Sequence, residues 1–190
     1  MLIDISNNIA MSDKTEEKMK KILAMLLAVI TVFSLTACGG DKYADLKIGN
    51  ITGFGQNIAS NAKFEYNLSE VPADDLEFSA LTLLKISKDK LNYIDGKPEM
   101  YRSMASPEEV LVIGAKDAAT AKEILNGPIS DWVKYQRDGY SDYGPDQVPK
   151  IDSCVRMTAG RYVFLIVSND GAQAKTVLND LLETTLKIHE

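Results

Sequence analysis

The sequence predicts an α+β domain with a mainly antiparallel sheet, and three features of the chain support this fold class. Two pairs of apolar, strand-like runs are each joined by a short turn, which is the pattern of a β-hairpin. Each pair is followed by a segment with apolar residues three and four positions apart, as in an amphipathic helix. The order is therefore β-β-α-β-β-α, and we expect a two-layer domain with a four-stranded sheet and helices packed on it.

The two hairpins are defined by apolar runs on either side of a turn. The first pairs residues 100–104 with residues 110–115 around a turn that contains Pro107, whose ring fixes its own φ. The second pairs residues 154–158 with residues 162–167. The second run of each hairpin lacks polar alternation, so we expect these two strands to be central and buried on both faces.

The helical segments are recognised by caps and by spacing. Asp117 is placed to cap a helix that Pro128 interrupts, because proline has no N–H to donate. We expect one kinked helix, or two helices with the same face inward, ending near Arg137. Asn169 or Asp170 is expected to cap the last helix. The apolar positions of the two helices are Ala121, Leu125, Ile129, Trp132 and Val133 in the first, and Ala174, Val177, Leu178, Leu181, Leu182 and Leu186 in the second.

The chain before the first hairpin is harder to assign. Phe54, Ile58 and Ala62 are four residues apart, which favours a short helix, and residues 54–92 are expected to help cover the second face of the sheet. Residues 38–55 are rich in glycine and are predicted to form a flexible tether, with a single domain over residues 56–190.

The N-terminal part has the features of an export signal. Lys20 and Lys21 precede an unbroken apolar run over residues 22–35, which is shorter than the roughly 20 residues needed to span a bilayer. We therefore expect a signal peptide over residues 19–37. Residues 1–18 are acidic for such a signal, so we interpret them as an extension before the true start, which would be Met19 or Met11.

The end of this signal, Leu35-Thr36-Ala37-Cys38, resembles a bacterial lipobox. The resemblance implies cleavage after Ala37 and a diacylglyceryl group on the sulfur of Cys38. Two acyl chains anchor a protein stably, because each buried CH₂ contributes about 0.8 kcal/mol. The predicted location is therefore the extracytoplasmic face of the cell membrane, with the lipid anchor holding the protein there. The alternative is an ordinary signal peptide in which the cysteine occurs by chance.

Three segments of the predicted domain carry a family resemblance. The strand at residues 108–113, the turn at residues 142–145 and the hairpin at residues 160–170 are similar to a family of uncharacterised lipoproteins of Gram-positive bacteria. The resemblance implies a lipobox followed by one small α+β domain of unknown function. It brings no established activity and no catalytic residue.

Composition argues against several function classes. The formal net charge is −6 and no basic stripe is present, so we expect no nucleic-acid partner. The single histidine is His189, and Cys154 would be the only free thiol, in an apolar strand that favours a buried, inert side chain. We therefore predict no catalytic residue, no metal site and no cofactor, and a binding or interaction module of the cell envelope. The alternative is a carboxylate-dependent envelope hydrolase.

One segment has the composition of a binding loop. Residues 135–149 combine tyrosines with acids and turn residues, and the tyrosine rings could stack on an envelope glycan or protein partner. The candidate residues are Tyr140, Asp142, Tyr143 and Asp146. Packing of the same tyrosines onto the edge of the sheet is the other interpretation.

Overall fold

The described part of the chain contains a five-stranded antiparallel sheet. The computed structural model describes residues 42–44, 46, 48, 51–76, 81, 84–93 and 96–188, which lie within one unit, Asp41–Glu190. The strands are β1 (Ser69–Glu70), β2 (Glu99–Arg102), β3 (Glu109–Gly114), β4 (Val155–Ala159) and β5 (Tyr162–Val167), and their spatial order is β1-β2-β3-β5-β4. The predicted α+β class is confirmed, and the sheet has five strands where we expected four.

The fifth strand, β1, was missed because it is only two residues long. It pairs with β2 through Ser69↔Arg102 and Glu70↔Tyr101, and its side chains are exposed, so it has no apolar pattern to detect. The two predicted hairpins are present as β2–β3 and β4–β5. They are joined through the pairing of β3 with β5.

The central strands β3 and β5 are buried on both faces, as expected. Their side chains alternate between two apolar clusters, one on each face of the sheet. One face is covered by helix α4 (Ser130–Tyr143), and its α4-side cluster includes Leu111, Ile113, Val163, Leu165, Ile124, Ile129 and Trp132. The other face is covered by helix α6 (Gly171–Ile188), and its α6-side cluster includes Val110, Val112, Phe164, Ile166, Ile58, Ala174 and Leu178. The sheet therefore has helical cover on both faces, which corrects the predicted two-layer arrangement to three layers.

The described residues include six α-helices. They are α1 (Phe54–Asn61), α2 (Ala73–Asp75), α3 (Ala118–Ile124), α4 (Ser130–Tyr143), α5 (Val148–Asp152) and α6 (Gly171–Ile188). A π turn (Leu125–Ile129) joins α3 to α4, and 3₁₀ turns occur at Lys88–Lys90 and Pro145–Gln147. None of the helices in the described ranges is long and apolar enough to cross a bilayer.

The predicted caps are in place. The backbone N–H of Thr120 donates to Asp117 Oδ1 over 2.7 Å, and that of Gln173 donates to Asp170 Oδ1 over 3.0 Å. Pro128 lies in the π turn, which accommodates the proline so that the helical path continues into α4.

The helix α4 is longer than predicted. It continues past Arg137 to Tyr143 and ends at Gly144. The ring of Tyr140 packs against the α4-side cluster, and this contact favours helix in a segment whose glycines had indicated a loop. Gly139 lies inside this helix, and a Cβ built there would meet nothing within 4 Å, so no neighbouring atom requires a glycine at this position.

The ordered domain also begins earlier than predicted. Leu46, Ile48 and Ile51 are buried in the α6-side cluster, and the hydroxyl of Tyr162 accepts from the N–H of Ile48 at 3.0 Å. Tyr43 also packs against this cluster, and its hydroxyl donates to Oε1 of Glu183 at 3.3 Å. The flexible tether expected over residues 38–55 is therefore wrong for its described part from Tyr43 onward. The signal peptide with its cleavage residue Ala37, and the lipid-attachment residue Cys38, lie outside the described residues.

Candidate functional site

An open groove of about 460 Å³ lies between α4 and the β2–β3 turn. Arg102 contributes from the end of β2, and Ser106 and Pro107 contribute from the turn. The helix α4 supplies the opposite wall through residues three, four and seven positions apart, which share one helical face. Its lining side chains are Trp132, Tyr135, Gln136, Tyr140 and Tyr143.

A buried carboxylate lies behind the α4 wall. Glu109, the first residue of β3, is only 1% exposed. Its Oε1 accepts from the indole N–H of Trp132 at 2.7 Å and from Nε2 of Gln136 at 3.0 Å. Burial raises the pKa of Glu109 to about 7, although the hydrogen bond from Trp132, the charge of Arg102 and the hydrogen bond from Gln136 all act to lower it.

Two polar atoms in the wall of the groove have unmet hydrogen-bonding capacity. Gln136 is 8% exposed, and its Oε1 has no hydrogen-bond partner in the described structure. The same is true of Nε of Arg102, which is shielded from solvent. A buried polar atom without a partner costs about 1–3 kcal/mol. Two residues that line the groove therefore each have one buried polar atom without a partner among the described residues.

The aromatic side chains of α4 differ strongly in exposure. Tyr135 is 70% exposed and stacks on Trp132, with ring centroids 5.7 Å apart and an interplanar angle of 23°. Tyr143 is 92% exposed. Tyr140 is half-buried, and burial raises the pKa of its hydroxyl. Two rings are thus presented to solvent, while Tyr140 and Trp132 connect the groove to the core.

The four residues of the predicted binding loop are divided by the fold. Tyr140, Asp142 and Tyr143 are in the last turns of α4, and Asp146 is in the 3₁₀ turn that follows, so the segment is helical and not a loop. Tyr140 and Tyr143 line the groove, but Asp142 and Asp146 are exposed and do not. The two predicted tyrosines therefore line the groove, whereas its polar lining residues include Arg102 and Gln136 and not the two predicted aspartates.

A second buried carboxylate, that of Glu108, has a structural role. It accepts from the backbone N–H groups of Glu65 and Tyr66, at 2.9 and 3.0 Å. The ammonium of Lys150 lies 3.4 Å from it and also pairs with Glu65. Burial lowers the pKa of Lys150, but Glu65 and Glu108 more than offset this, so its pKa is raised. This cluster joins α5 and the segment before β1 to the start of β3.

Two other expectations concern reactive groups. Cys154 is half-buried between α5 and β4, and burial raises the pKa of its thiol, which disfavours the reactive thiolate. Within the described residues, no group of three or more His, Cys, Asp or Glu side chains is placed to hold a metal ion.

The sequence prediction missed Glu109, Gln136 and Arg102. A signal for Glu109 was present, since it begins an apolar run expected to be buried on both faces and its carboxyl group must therefore be buried too. The other two carried no signal, because a polar residue near the end of a strand or on a helix is ordinarily solvated.

These features define a small α+β domain with an aromatic groove in front of a buried carboxylate. The chain belongs to the family described as domain of unknown function DUF4358, whose model matches residues 67–168. The matched segment contains all five described strands and the whole of α4, and thus every residue that lines the groove. Comparisons with curated proteins and with solved structures give no match.

Proposed function

We propose that this protein is a lipid-anchored binding module of the bacterial cell envelope, held on the extracytoplasmic face of the membrane. The support for the anchor is the sequence Leu35-Thr36-Ala37-Cys38 after a short apolar run, which is typical of a lipoprotein signal. The membrane is then a partner through the diacylglyceryl group, and the folded domain is free to bind a second component of the envelope.

The observation that carries the binding role is the groove beside α4. Tyr135 and Tyr143 offer large, rigid contact areas, which are favoured at binding surfaces because few rotatable bonds are fixed. The side chains of Arg102 and Gln136 add polar groups to the wall of the groove. Apolar rings with a few convergent polar atoms are typical of a ligand site.

Lipid labelling tests the anchor. Cells that express the wild-type protein are grown with an alkyne-bearing palmitate, and incorporation is compared with that in Cys38→Ala. Cys154→Ala is the matched control, because it removes the other of the two cysteines. We expect label and membrane association in the wild type and the control, and loss of both in Cys38→Ala. Equal labelling of all three proteins, or no labelling of any, would contradict the proposal.

A carboxylate-dependent hydrolase is the second candidate, and Glu109 is the observation that favours it. A carboxyl group with a pKa of about 7 can act as a general acid near neutral pH. However, Glu109 is 1% exposed, and none of the described residues that line the groove is Asp or Glu, whereas most glycoside hydrolases use a pair of carboxyl groups. Hydrolysis of an envelope polymer that is abolished in a folded Glu109→Gln variant would establish the enzyme and displace the binding role.

A further inference from the structure

The chain enters the folded domain at one end of the sheet. The hydroxyl of Tyr43 donates to Oε1 of Glu183, near the end of α6, at 3.3 Å. The backbone oxygen of Tyr43 lies against the turn between β4 and β5, so that a Cβ added at Gly160 would collide with it. A lipid anchor at Cys38 would therefore be attached to the end of the sheet that holds the β4–β5 turn.

The groove opens at the opposite end of this sheet. In the pairing of β3 with β5, Gly114 lies opposite Tyr162, next to the β4–β5 turn, whereas Glu109 lies opposite Val167 at the far end. The β2–β3 turn, which forms one wall of the groove, directly precedes Glu109, and Trp132 of the other wall donates to Glu109. With the turn residues included, the two ends are about 25 Å apart at roughly 3.3 Å per residue.

The link to a lipidated Cys38 is too short to turn the domain over. Cys38 is five residues before Tyr43, and a fully extended link of that length spans at most about 18 Å. An inverted domain, with the groove against the bilayer, would hold Tyr43 about 25 Å above the surface. The β4–β5 end can rest on the bilayer, or the domain can lie on one of its sides.

The charges of α4 disfavour an orientation in which this helix lies on the bilayer. An anionic lipid surface attracts Lys and Arg and repels Asp and Glu. In α4 and the 3₁₀ turn after it, the exposed acids outnumber the exposed cations, of which Arg137 already pairs with Asp152. The acids are Asp131, Asp138, Asp142 and Asp146, and the cations are Lys134 and Arg137.

Cations gather at the end of the sheet that holds the β4–β5 turn. The backbone N–H of Lys116 donates to the oxygen of Lys90 at 3.0 Å, and that of Ala115 donates to the oxygen of Arg161 at 2.9 Å. These contacts bring three segments of the chain together. We call this surface the basic end, and its cations are Lys42, Lys88, Lys90, Lys116 and Arg161.

The basic end also contains acids, but two of them are in exposed ion pairs. Glu183 pairs with Lys42, and Glu123 pairs with Lys90 at 3.3 Å. Exposed pairs contribute little to stability, so these lysines can exchange a carboxylate for a lipid phosphate at little cost. The described acids beside the cations are Asp89, Asp117, Glu123 and Glu183.

We propose that the basic end is a membrane-contact surface, which rests on anionic phospholipid headgroups while the groove opens away from the bilayer. This inference rests on the proposed lipid anchor, because the short link is what holds the basic end at the bilayer. The anchor keeps the protein on the membrane, and the basic end sets its orientation. The groove then receives a component of the envelope that lies outside the bilayer, and not a lipid.

Quenching by a spin-labelled lipid measures this orientation. The full-length lipidated protein, with Cys154→Ala to remove the other thiol, is placed in vesicles of equal parts phosphatidylglycerol and phosphatidylcholine that contain a lipid with a nitroxide headgroup. A fluorophore is attached to one added cysteine. Ala119→Cys places it in the first turn of α3, at the basic end, and Ser141→Cys places it on the exposed side of α4. We expect quenching to be at least about threefold stronger at position 119.

A charge variant tests the headgroup contact. Replacing Lys88, Lys90 and Lys116 together with Gln should reduce the quenching ratio between the two positions, because the attraction to the headgroups is weakened. The matched control replaces three exposed lysines outside the basic end, Lys63, Lys134 and Lys175, with Gln and should keep the ratio. An unchanged ratio in the first variant overturns the proposed contact.

The outcomes separate this inference from the proposed function. Equal quenching at the two positions, stronger quenching at position 141, or quenching at neither position overturns the membrane-contact surface, although the anchor stands if the protein remains on the vesicles. If the full-length protein does not associate with vesicles at all, the lipid anchor is overturned, and this inference is overturned with it.

Discussion

The indole N–H of Trp132 donates to the carboxylate of Glu109 over 2.7 Å, and this contact joins the first residue of β3 to the first turn of α4. It places the single tryptophan between a buried titratable group and an exposed tyrosine ring. The fluorescence of Trp132 therefore reports both the unfolding of the domain and the binding of a ligand in the groove.

The first prediction concerns the pH dependence of stability. The folded-state pKa of Glu109, about 7, lies above its ordinary value of 4.5, so the folded protein binds more protons than the unfolded chain between these values. The contribution of this group to stability is present below pH 4.5 and is lost as the pH rises to about 7. Glu109→Gln lacks this dependence, and from pH 4.5 to pH 8 it should gain about 3 kcal/mol relative to the wild type. Urea denaturation of both proteins at pH 4.5 and pH 8 measures their free energies of unfolding. A difference between the two proteins that is the same at both pH values would refute the prediction.

The second prediction concerns Lys150, which is buried beside Glu108. Lys150→Met leaves the carboxylate of Glu108 buried without its cation, and we expect a loss of about 3 kcal/mol in the free energy of unfolding. The control Lys175→Met changes an exposed lysine of α6 and should stay within about 0.5 kcal/mol of the wild type. If both variants lose a similar amount of free energy of unfolding, the buried ion pair makes no specific contribution to the stability of the domain.

The third prediction concerns two glycines. A Cβ added at Gly171 would lie 2.0 Å from the backbone oxygen of Ser153, so Gly171→Ala forces the start of α6 away from the end of α5 and should cost at least about 2 kcal/mol. Gly139→Ala adds a methyl group to open space inside a helix and should stabilise the protein by about 0.5–1 kcal/mol. Thermal melts of the two variants should shift in opposite directions, and a shared direction would contradict this.

The fourth prediction separates the two groove tyrosines at the end of α4. Tyr140 packs against the α4-side cluster, so Tyr140→Ala should lower the free energy of unfolding by about 2–3 kcal/mol. Tyr143 is 92% exposed, and Tyr143→Ala should have an effect within about 0.5 kcal/mol. Circular dichroism melts measure both. A large loss in Tyr143→Ala would make that residue structural and remove it from the binding surface.

The local patterns predicted the hairpins and caps well because neighbouring residues determine them. The apolar runs in β3 and β5 and the carboxylate of Asp117 act over a few residues. The end of α4 was missed because a contact between Tyr140 and a distant cluster outweighs the local turn signals. The sequence also did not predict that α4 and α6 cover opposite faces of the sheet. An amphipathic pattern shows that one side of a helix is buried, but it does not show which face of the sheet that side covers.

The groove could be predicted only in part, and for a related reason. Two of its tyrosines were selected from composition, but its polar atoms come from β2 and from the middle of α4. Arg102 and Gln136 are far apart in sequence and become a pair only when β2 and α4 pack together. A single sequence contains no pattern for such a pair.

The early start of the folded core limits how far the domain can stand from a bilayer. Tyr43 already packs against the α6-side cluster, so in a protein lipidated at Cys38 only the chain between these two residues can act as a spacer. An extended chain covers at most about 3.6 Å per residue, which gives this spacer a span of less than about 20 Å. The groove would then lie close to the lipid headgroups. Envelope material farther from the membrane would have to approach the membrane before the groove could bind it.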